Sequence, residues 1–272
     1  MSVSKELKAF MKTLLISLIV VAASVAGLYF YGVYQRNKPL PPTREEIMAQ
    51  IIVESTLSEQ EAKEIIDANL VHIAIEPGIP QSHVITMDAI LQNPELPAGC
   101  EVTSLTMLLN YMGLSADKCD LSDNYLPKGE AGTVDMNTAF IGDPRKAGSY
   151  GCFAPVIADT AASYIADKRS SLKVYNLTGS NFTSLFHLIA DDKPVVVWTT
   201  INLLPTSVTK TWEINENTVF WQSQEHCVVL CGYDYDKSTV TVADPLSGIT
   251  EYDMGLFITR YNELFKQAVC IY

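Results

Sequence analysis

The sequence predicts an α+β domain that follows an apolar N-terminal segment, and three patterns carry this prediction. An apolar run without charges covers residues 14–34, and its length suits a membrane-spanning helix of about 20 residues. Residues 101–112 carry apolar side chains at helical spacing, and the pattern stops at Gly113. Three later runs rich in valine are typical of adjacent strands of one sheet: residues 194–198, 227–231 and 240–243.

The apolar N-terminal segment is interpreted as an uncleaved membrane anchor. No charged residue lies between Lys12 and Arg36. A secretory signal peptide is the alternative, because the Ser-Val-Ala sequence at 24–26 resembles a cleavage site flanked by small residues. The apolar run continues past that site into the aromatic residues 29–31. This length and the aromatic belt favour the anchor.

The charges around the anchor predict that the rest of the chain lies outside the cytoplasm. Three lysines and one glutamate precede the apolar run, and an excess of basic residues favours the cytoplasmic side. We divide the chain into a cytoplasmic tail and anchor (1–35), a proline-rich linker and helical stalk (36–71) and a working domain (72–272). Capping boxes at 43–46 and 58–61 predict the helices of the stalk.

The composition argues against two classes of partner. The formal net charge is −12, and no basic stripe interleaved with aromatic residues occurs in the sequence, so nucleic-acid binding is not expected. The chain also lacks a glycine-rich phosphate loop, so we expect no nucleotide. Hydrophobic residues make up 48% and charged residues 18% of the chain, as in a globular protein with an apolar segment attached.

The six cysteines indicate neither a disulfide scaffold nor a metal or redox centre. They are few for the length of the chain, and no pair has the Cys-x-x-Cys spacing of zinc and redox sites, so we expect no metal and no cofactor. Cys227 and Cys231 cannot pair if they share a strand, because four residues span about 13 Å there and a disulfide tolerates about 7 Å between Cα atoms. Pairings stay open among Cys119, Cys152, Cys227, Cys231 and Cys270.

Cys100 is the candidate nucleophile, because it stands at the start of the predicted helix 101–112. The positive end of a helix dipole stabilises a thiolate, so this position is expected to lower the pKa of the thiol. The preceding Gly99 has no side chain and would let a substrate backbone approach closely.

His226 is the candidate base among the four histidines of the chain. His72 and His83 lie near the start of the working domain, and His187 lies in an apolar helical context typical of a core histidine. His226 instead stands where the polar residues 222–225 give way to a predicted strand, which would present an imidazole to a helix end.

Asp244 is the candidate orienting residue, because it ends the run 240–243 that follows the strand of His226. In a hairpin of these two strands, the carboxylate can accept from one ring nitrogen of His226 while the other nitrogen faces the thiol of Cys100. The order of the three residues therefore predicts a Cys-His-Asp triad.

Three motifs together resemble a known family. Residues 96–104 (LPAGCEVTS), 226–234 (HCVVLCGYD) and 244–248 (DPLSG) are similar to segments of the free-standing relatives of the double-glycine leader peptidases. Those proteins are cysteine peptidases of the papain-like superfamily, and better-known members cut bacteriocin leaders as parts of transporters. The resemblance covers most of the chain, from about residue 72 to its end.

The resemblance implies a papain-like fold, in which a helix with the nucleophile packs on an antiparallel sheet with the histidine and aspartate. It also implies hydrolysis of a peptide or protein substrate through an acyl-enzyme intermediate. Cys100, His226 and Asp244 take the roles of nucleophile, base and orienting residue, and Gln92 matches the family's oxyanion donor. A cell-wall amidase or transpeptidase with the same triad, and a catalytically idle binding module, are the alternatives.

Overall fold

The structure is a computed structural model and describes residues 75–214 and 217–272. The predicted anchor, linker and stalk, together with His72, lie outside the described residues. Within those residues, no helix is long and apolar enough to cross a membrane.

A helix forms where the sequence predicts one from apolar residues at helical spacing, and four further helices form along the chain that the structure describes. Asp253 begins the last helix by accepting a hydrogen bond from the backbone N–H of Leu256 at 2.8 Å, as an N-cap residue does. The helices are α1 (Cys100–Tyr111), α2 (Lys118–Asp120), α3 (Ala154–Asp167), α4 (Phe186–Ala190) and α5 (Met254–Glu263). A π-helical turn covers Leu121–Tyr125, and 3-10 turns cover Thr183–Leu185 and Ile201–Leu203.

The strands are β1 (Ser82–Val84), β2 (Lys128–Gly129), β3 (Phe140–Ile141), β4 (Val174–Asn176), β5 (Val195–Thr200), β6 (Val208–Ile214), β7 (Asn217–Gln222), β8 (Glu225–Asp234), β9 (Thr239–Asp244), β10 (Gly248–Asp253) and β11 (Ala268–Ile271). Most of them belong to one antiparallel sheet of seven, with the order β10-β9-β8-β5-β11-β4 and with β1 paired to the far end of β8. Two small sheets pair β2 with β3 and β6 with β7.

The main sheet is buried on both faces, and alternate residues of its strands enter two separate cores. One core lies against α1 and α3, and the other lies against α4 and α5. Val196, Trp198, Cys227 and Val229 enter the first core, whereas Val195, Val197, Val228 and Leu230 enter the second. This two-sided burial explains why β5 and β8 are continuous apolar runs. The α+β class and the adjacency of β5, β8 and β9 are confirmed.

Helix α1 lies across β8 and β5. Ser104 fixes it there by donating a hydrogen bond to the carbonyl oxygen of Cys227 at 3.0 Å. In the sheet, Thr199 pairs with His226 and Ala243 pairs with Val229. The packing therefore brings the first turn of α1 to the start of β8, and the register brings the end of β9 to the same place.

Candidate active site

Cys100 is the first residue of α1, and Gly99 is its N-cap. The chain turns tightly before the helix, because the N–H of Gly99 donates to the carbonyl oxygen of Leu96 at 2.9 Å. A Cβ on Gly99 would lie 2.7 Å from the Cβ of Leu96, which is closer than side chains pack. This turn gives glycine a structural role at position 99.

His226 and Asp244 form a buried hydrogen bond of 2.8 Å between Nε2 and Oδ1, and each residue is only 2% exposed. Asp244 also accepts from the N–H of Leu246 at 2.7 Å and from the hydroxyl of Tyr252 at 3.2 Å. Burial favours the neutral acid, but the hydrogen bond and charge of His226 and the two other donors together lower the pKa of Asp244. Because Nε2 is engaged by Asp244, Nδ1 is the ring nitrogen left for a thiol.

The thiol of Cys100 lies in a cluster with two buried carboxyl groups. Its Sγ donates to Oε2 of Glu101 at 3.3 Å, and the thiol and one oxygen each of Glu101 and Glu225 lie within 4.8 Å of one another. Glu101 is fully buried and Glu225 is 7% exposed. The N–H of Cys152 donates to Oε1 of Glu101 at 2.8 Å. In the described part of the chain, Cys100 has its side-chain hydrogen bond with Glu101 and none with His226.

This cluster disfavours negative charge on the thiol. Burial raises the pKa of Cys100 well above its usual value, and the nearby Glu101 and Glu225 raise it further. Burial also raises the pKa of Glu101 to about 7, and burial with the charge of Glu101 raises the pKa of Glu225. The expected lowering of the pKa of the Cys100 thiol does not hold in this arrangement, because desolvation and two acidic neighbours oppose the helix dipole.

Gln92 is buried, with 3% of its surface exposed. Its backbone N–H donates to the carbonyl oxygen of Pro245 at 2.8 Å, which places it beside Asp244. Its side-chain Nε2 donates to the carbonyl oxygen of Pro97 at 2.9 Å, whereas its Oε1 is buried without a hydrogen-bond partner. The amide is thus held by the loop before Cys100, and its Nε2 makes this one hydrogen bond within the part of the chain that the structure describes.

The other histidines lie in different surroundings. His83 bonds to Asp192 at 2.8 Å. His187 lies in α4 as predicted but is exposed and faces Glu76 at 3.5 Å, so the expectation of a core histidine was wrong. It points away from the apolar face of a helix that is only five residues long.

All six cysteines are free. Cys227 and Cys231 lie in the same strand, as the argument against their pairing assumed. Sequence reasoning missed Glu101 and Glu225 as members of the site, and it counted Glu225 only among the polar residues 222–225. Their positions directly after Cys100 and directly before His226 were the signal that could have revealed them.

Comparisons with known proteins identify the family of this chain. Residues 77–269 match the profile of the Peptidase_C39 like family. The chain belongs to this family. The relationship predicted from the three motifs is confirmed at that level, and the family's peptidases share the α+β fold with its antiparallel sheet.

Three known proteins are similar to this chain over more than half of its length. The uncharacterized protein YvpB of Bacillus subtilis (strain 168) is 33% identical over 194 residues, which cover 68% of this chain and 75% of YvpB. A crystal structure of a Bacillus anthracis protein assigned to the C39-like peptidases has a TM-score of 0.63 at 30% identity, covering 70% of this chain and 97% of that one. A double-glycine motif protease of an AMS/PCAT transporter, solved with its leader peptide, has a TM-score of 0.39 at 14% identity over 70% of this chain and 91% of its own.

Proposed function

We propose that this protein is a cysteine peptidase of the cell surface that hydrolyses peptide bonds through Cys100, His226 and Asp244. The observation that carries the proposal is the buried hydrogen bond between His226 and Asp244, located at the start of β8 where the first turn of α1 presents Cys100. A carboxylate bonded to one ring nitrogen fixes the tautomer and orientation of a catalytic imidazole.

The reaction starts when Nδ1 of His226 takes the proton of the Cys100 thiol. The thiolate attacks the carbonyl carbon of the peptide bond and forms a tetrahedral intermediate with a negatively charged oxygen. The N–H of Cys100 and the free amide hydrogen of Gln92 donate to that oxygen. The imidazolium of His226 then protonates the leaving amine, which leaves an acyl group on Cys100.

Hydrolysis of the acyl-enzyme uses the same groups in reverse. His226 takes a proton from a water molecule as that water attacks the thioester, and it returns the proton to the departing sulfur of Cys100. Asp244 stays ionised throughout and stabilises the imidazolium. Its lowered pKa suits that role at neutral pH.

One rearrangement has to precede the reaction. The resting thiol donates to Glu101, so its side chain must turn toward His226 before proton transfer. We expect this movement to be a rotation of the Cys100 side chain between staggered positions.

The cell-surface location rests on the apolar residues 14–34 and the flanking charges. An anchor with a cytoplasmic N-terminus would hold the peptidase outside the membrane. Protease treatment of intact cells tests this part, because an extracytoplasmic domain is degraded and a cytoplasmic one is protected.

Peptidase activity is tested by incubating the full-length chain with a peptide library and, separately, with purified cell wall. Mass spectrometry identifies the products, and the Cys100→Ala variant is the control. We expect cleaved peptides with the unaltered chain and none with the variant. Release of fragments from cell wall alone would assign an amidase, and absence of any product would favour a binding module.

A further inference from the structure

We propose that Cys100, Glu101 and Glu225 form a binding site for a thiophilic divalent cation, with Zn²⁺ as the physiological class, and that the bound ion holds the nucleophile inactive. The binding site follows from the side-chain cluster alone. Only the inhibitory consequence rests on the proposed function, since it requires that Cys100 is the nucleophile.

The distances suit one metal ion. The sulfur of Cys100 and one oxygen from each glutamate lie within 4.8 Å of one another. Zinc binds sulfur at about 2.3 Å and carboxylate oxygen at about 2.0–2.2 Å in a tetrahedron, which separates neighbouring ligand atoms by roughly 3.5 Å. Side-chain rotations close the remaining gap.

The surroundings also fit a cation. In the described part of the chain, neither Glu101 nor Glu225 takes part in a salt bridge, so no lysine or arginine balances them. Oε1 of Glu225 is buried and has no hydrogen-bond partner, and the residue is more than nine-tenths buried. A buried carboxylate oxygen without a partner is costly, and a metal ion would supply the missing interaction.

The protein orients these ligands in advance. The N–H of Cys152 bonds to Oε1 of Glu101 at 2.8 Å, and the thiol lies at the other oxygen of Glu101. Gly151 faces both glutamates: a Cβ there would collide with Oε1 of Glu101 and lie 3.2 Å from Oε2 of Glu225. Glycine therefore leaves space for both carboxylates. Hydrogen bonds to metal ligands, such as the one from Cys152 to Glu101, orient the ligands and stabilise bound metals.

The type of ligand selects the type of metal. Calcium and magnesium prefer six or more oxygen ligands, whereas this site offers one sulfur and two carboxylates. Such a set favours Zn²⁺ or Cd²⁺, with a water molecule in a fourth position. Binding forms one metal–sulfur bond and a metal–oxygen bond to each glutamate. The thiol proton and the protons that the two carboxyl groups hold leave to solvent, and no oxidation state changes. The sulfur lone pair is then committed to the metal and cannot attack a carbonyl.

Titration of the full-length chain with Cd²⁺ tests the site, because cadmium bound to thiolate has an ultraviolet charge-transfer band. We expect one tight site, loss of its band in Cys100→Ser, and affinity at least about tenfold weaker in Glu225→Gln and in Glu101→Gln. Two controls, Cys119→Ser and Glu251→Gln, replace a partly exposed thiol and an exposed glutamate and should keep the tight site. Circular dichroism verifies folding of each variant, and two separate glutamate variants protect the test if one of them unfolds.

The His226→Ala variant separates this proposal from the proposed function. It lacks the base but keeps all three metal ligands, so it should bind Cd²⁺ as tightly as the unaltered chain while lacking peptidase activity. If the tight site persists without Cys100, disappears with Cys119, or is unaffected in both glutamate variants, the metal site is refuted. Peptidase activity is measured after EDTA has removed the metal and again after Zn²⁺ is added back, and added Zn²⁺ should abolish it. Activity that persists with the ion bound would refute the inhibition, whereas Cd²⁺ binding in a chain that shows no peptidase activity even after EDTA would refute the proposed function and leave the metal site intact.

Discussion

The two halves of the candidate site differ in how their polar groups are satisfied. On the sheet, His226 and Asp244 bond to each other, and Asp244 has further donors in Leu246 and Tyr252. In the other half, Cys100 faces the buried carboxyl groups of Glu101 in α1 and Glu225 in β8, and neither carboxyl group has a basic partner among the described residues. One half pairs a histidine with a carboxylate, and the other half gathers acidic groups.

This difference indicates that the two halves serve different purposes. The hydrogen bond to Asp244 holds the imidazole of His226 in one orientation, so the half with His226 is ready to accept a proton. A group of buried acids holds protons, or a cation, because like charges cannot all be present together. The half with Cys100 therefore rests as a neutral thiol and is activated only when its surroundings change.

The largest expected effect comes from removing either member of the proposed catalytic dyad. Cys100→Ala and His226→Ala should each lower kcat/KM by at least about 10³-fold, because the two groups act as one unit. The double variant should be no worse than the single ones, which a peptide-cleavage assay will measure. If the two losses multiply instead, the residues act independently and the dyad is not supported.

Asp244→Asn should lower the peptidase activity without abolishing it. The amide can stabilise the wrong tautomer of His226, so kcat should fall by about 10²- to 10⁴-fold while the chain stays folded. Tyr252→Phe removes only one outer hydrogen bond of Asp244 and should cost about tenfold or less. Steady-state kinetics distinguishes the two, and equal losses would contradict the orienting role of Asp244.

Gln92→Ala tests the proposed oxyanion donor, which lies beside Asp244. Loss of one such donor should lower kcat by about 10²-fold with little change in KM. Gln81→Ala is the matched control, because the Gln81 amide donates to Asp236 at an exposed position. A rise in KM at constant kcat would instead make Gln92 a residue that binds substrate.

Glu101→Gln tests the half of the site in which acidic groups surround Cys100. Removal of this carboxylate should lower the pKa of Cys100 and speed its alkylation by iodoacetamide at pH 7 by up to about tenfold. Site-resolved mass spectrometry will compare Cys100 with the buried Cys270, whose rate should not change. An unchanged rate at Cys100 would show that the Glu101 carboxylate does not contribute to the raised pKa of the thiol.

The smallest expected effect is on stability. Burial raises the pKa of Glu101 from 4.5 to about 7, so the folded chain keeps a proton that the unfolded chain has lost in this range. The unaltered chain should therefore lose stability as the pH rises from about 5 to 7. Thermal unfolding should show a weaker decline in Glu101→Gln, and parallel curves would contradict the raised pKa.

The sequence predicted the half of the site with His226 and Asp244 better than the half in which Glu101 and Glu225 surround Cys100. The run of valines in β8 and the position of His226 before it are local signals, and so is Asp244 at the end of β9. The burial of Glu101 and Glu225 is not local, because it arises when α1 packs across two strands more than 90 residues later in the chain. Local pattern assigns an acidic residue beside polar neighbours to the surface.

The central claim is that Cys100 is a nucleophile activated by His226. Its most direct test is to treat the full-length chain with a set of peptidyl acyloxymethyl ketones, which react with catalytic thiols, and to locate the adducts by mass spectrometry. We expect one adduct, on Cys100, and its loss in His226→Ala. Adducts spread over Cys119 and the other cysteines, or an adduct on Cys100 that persists without His226, would contradict it.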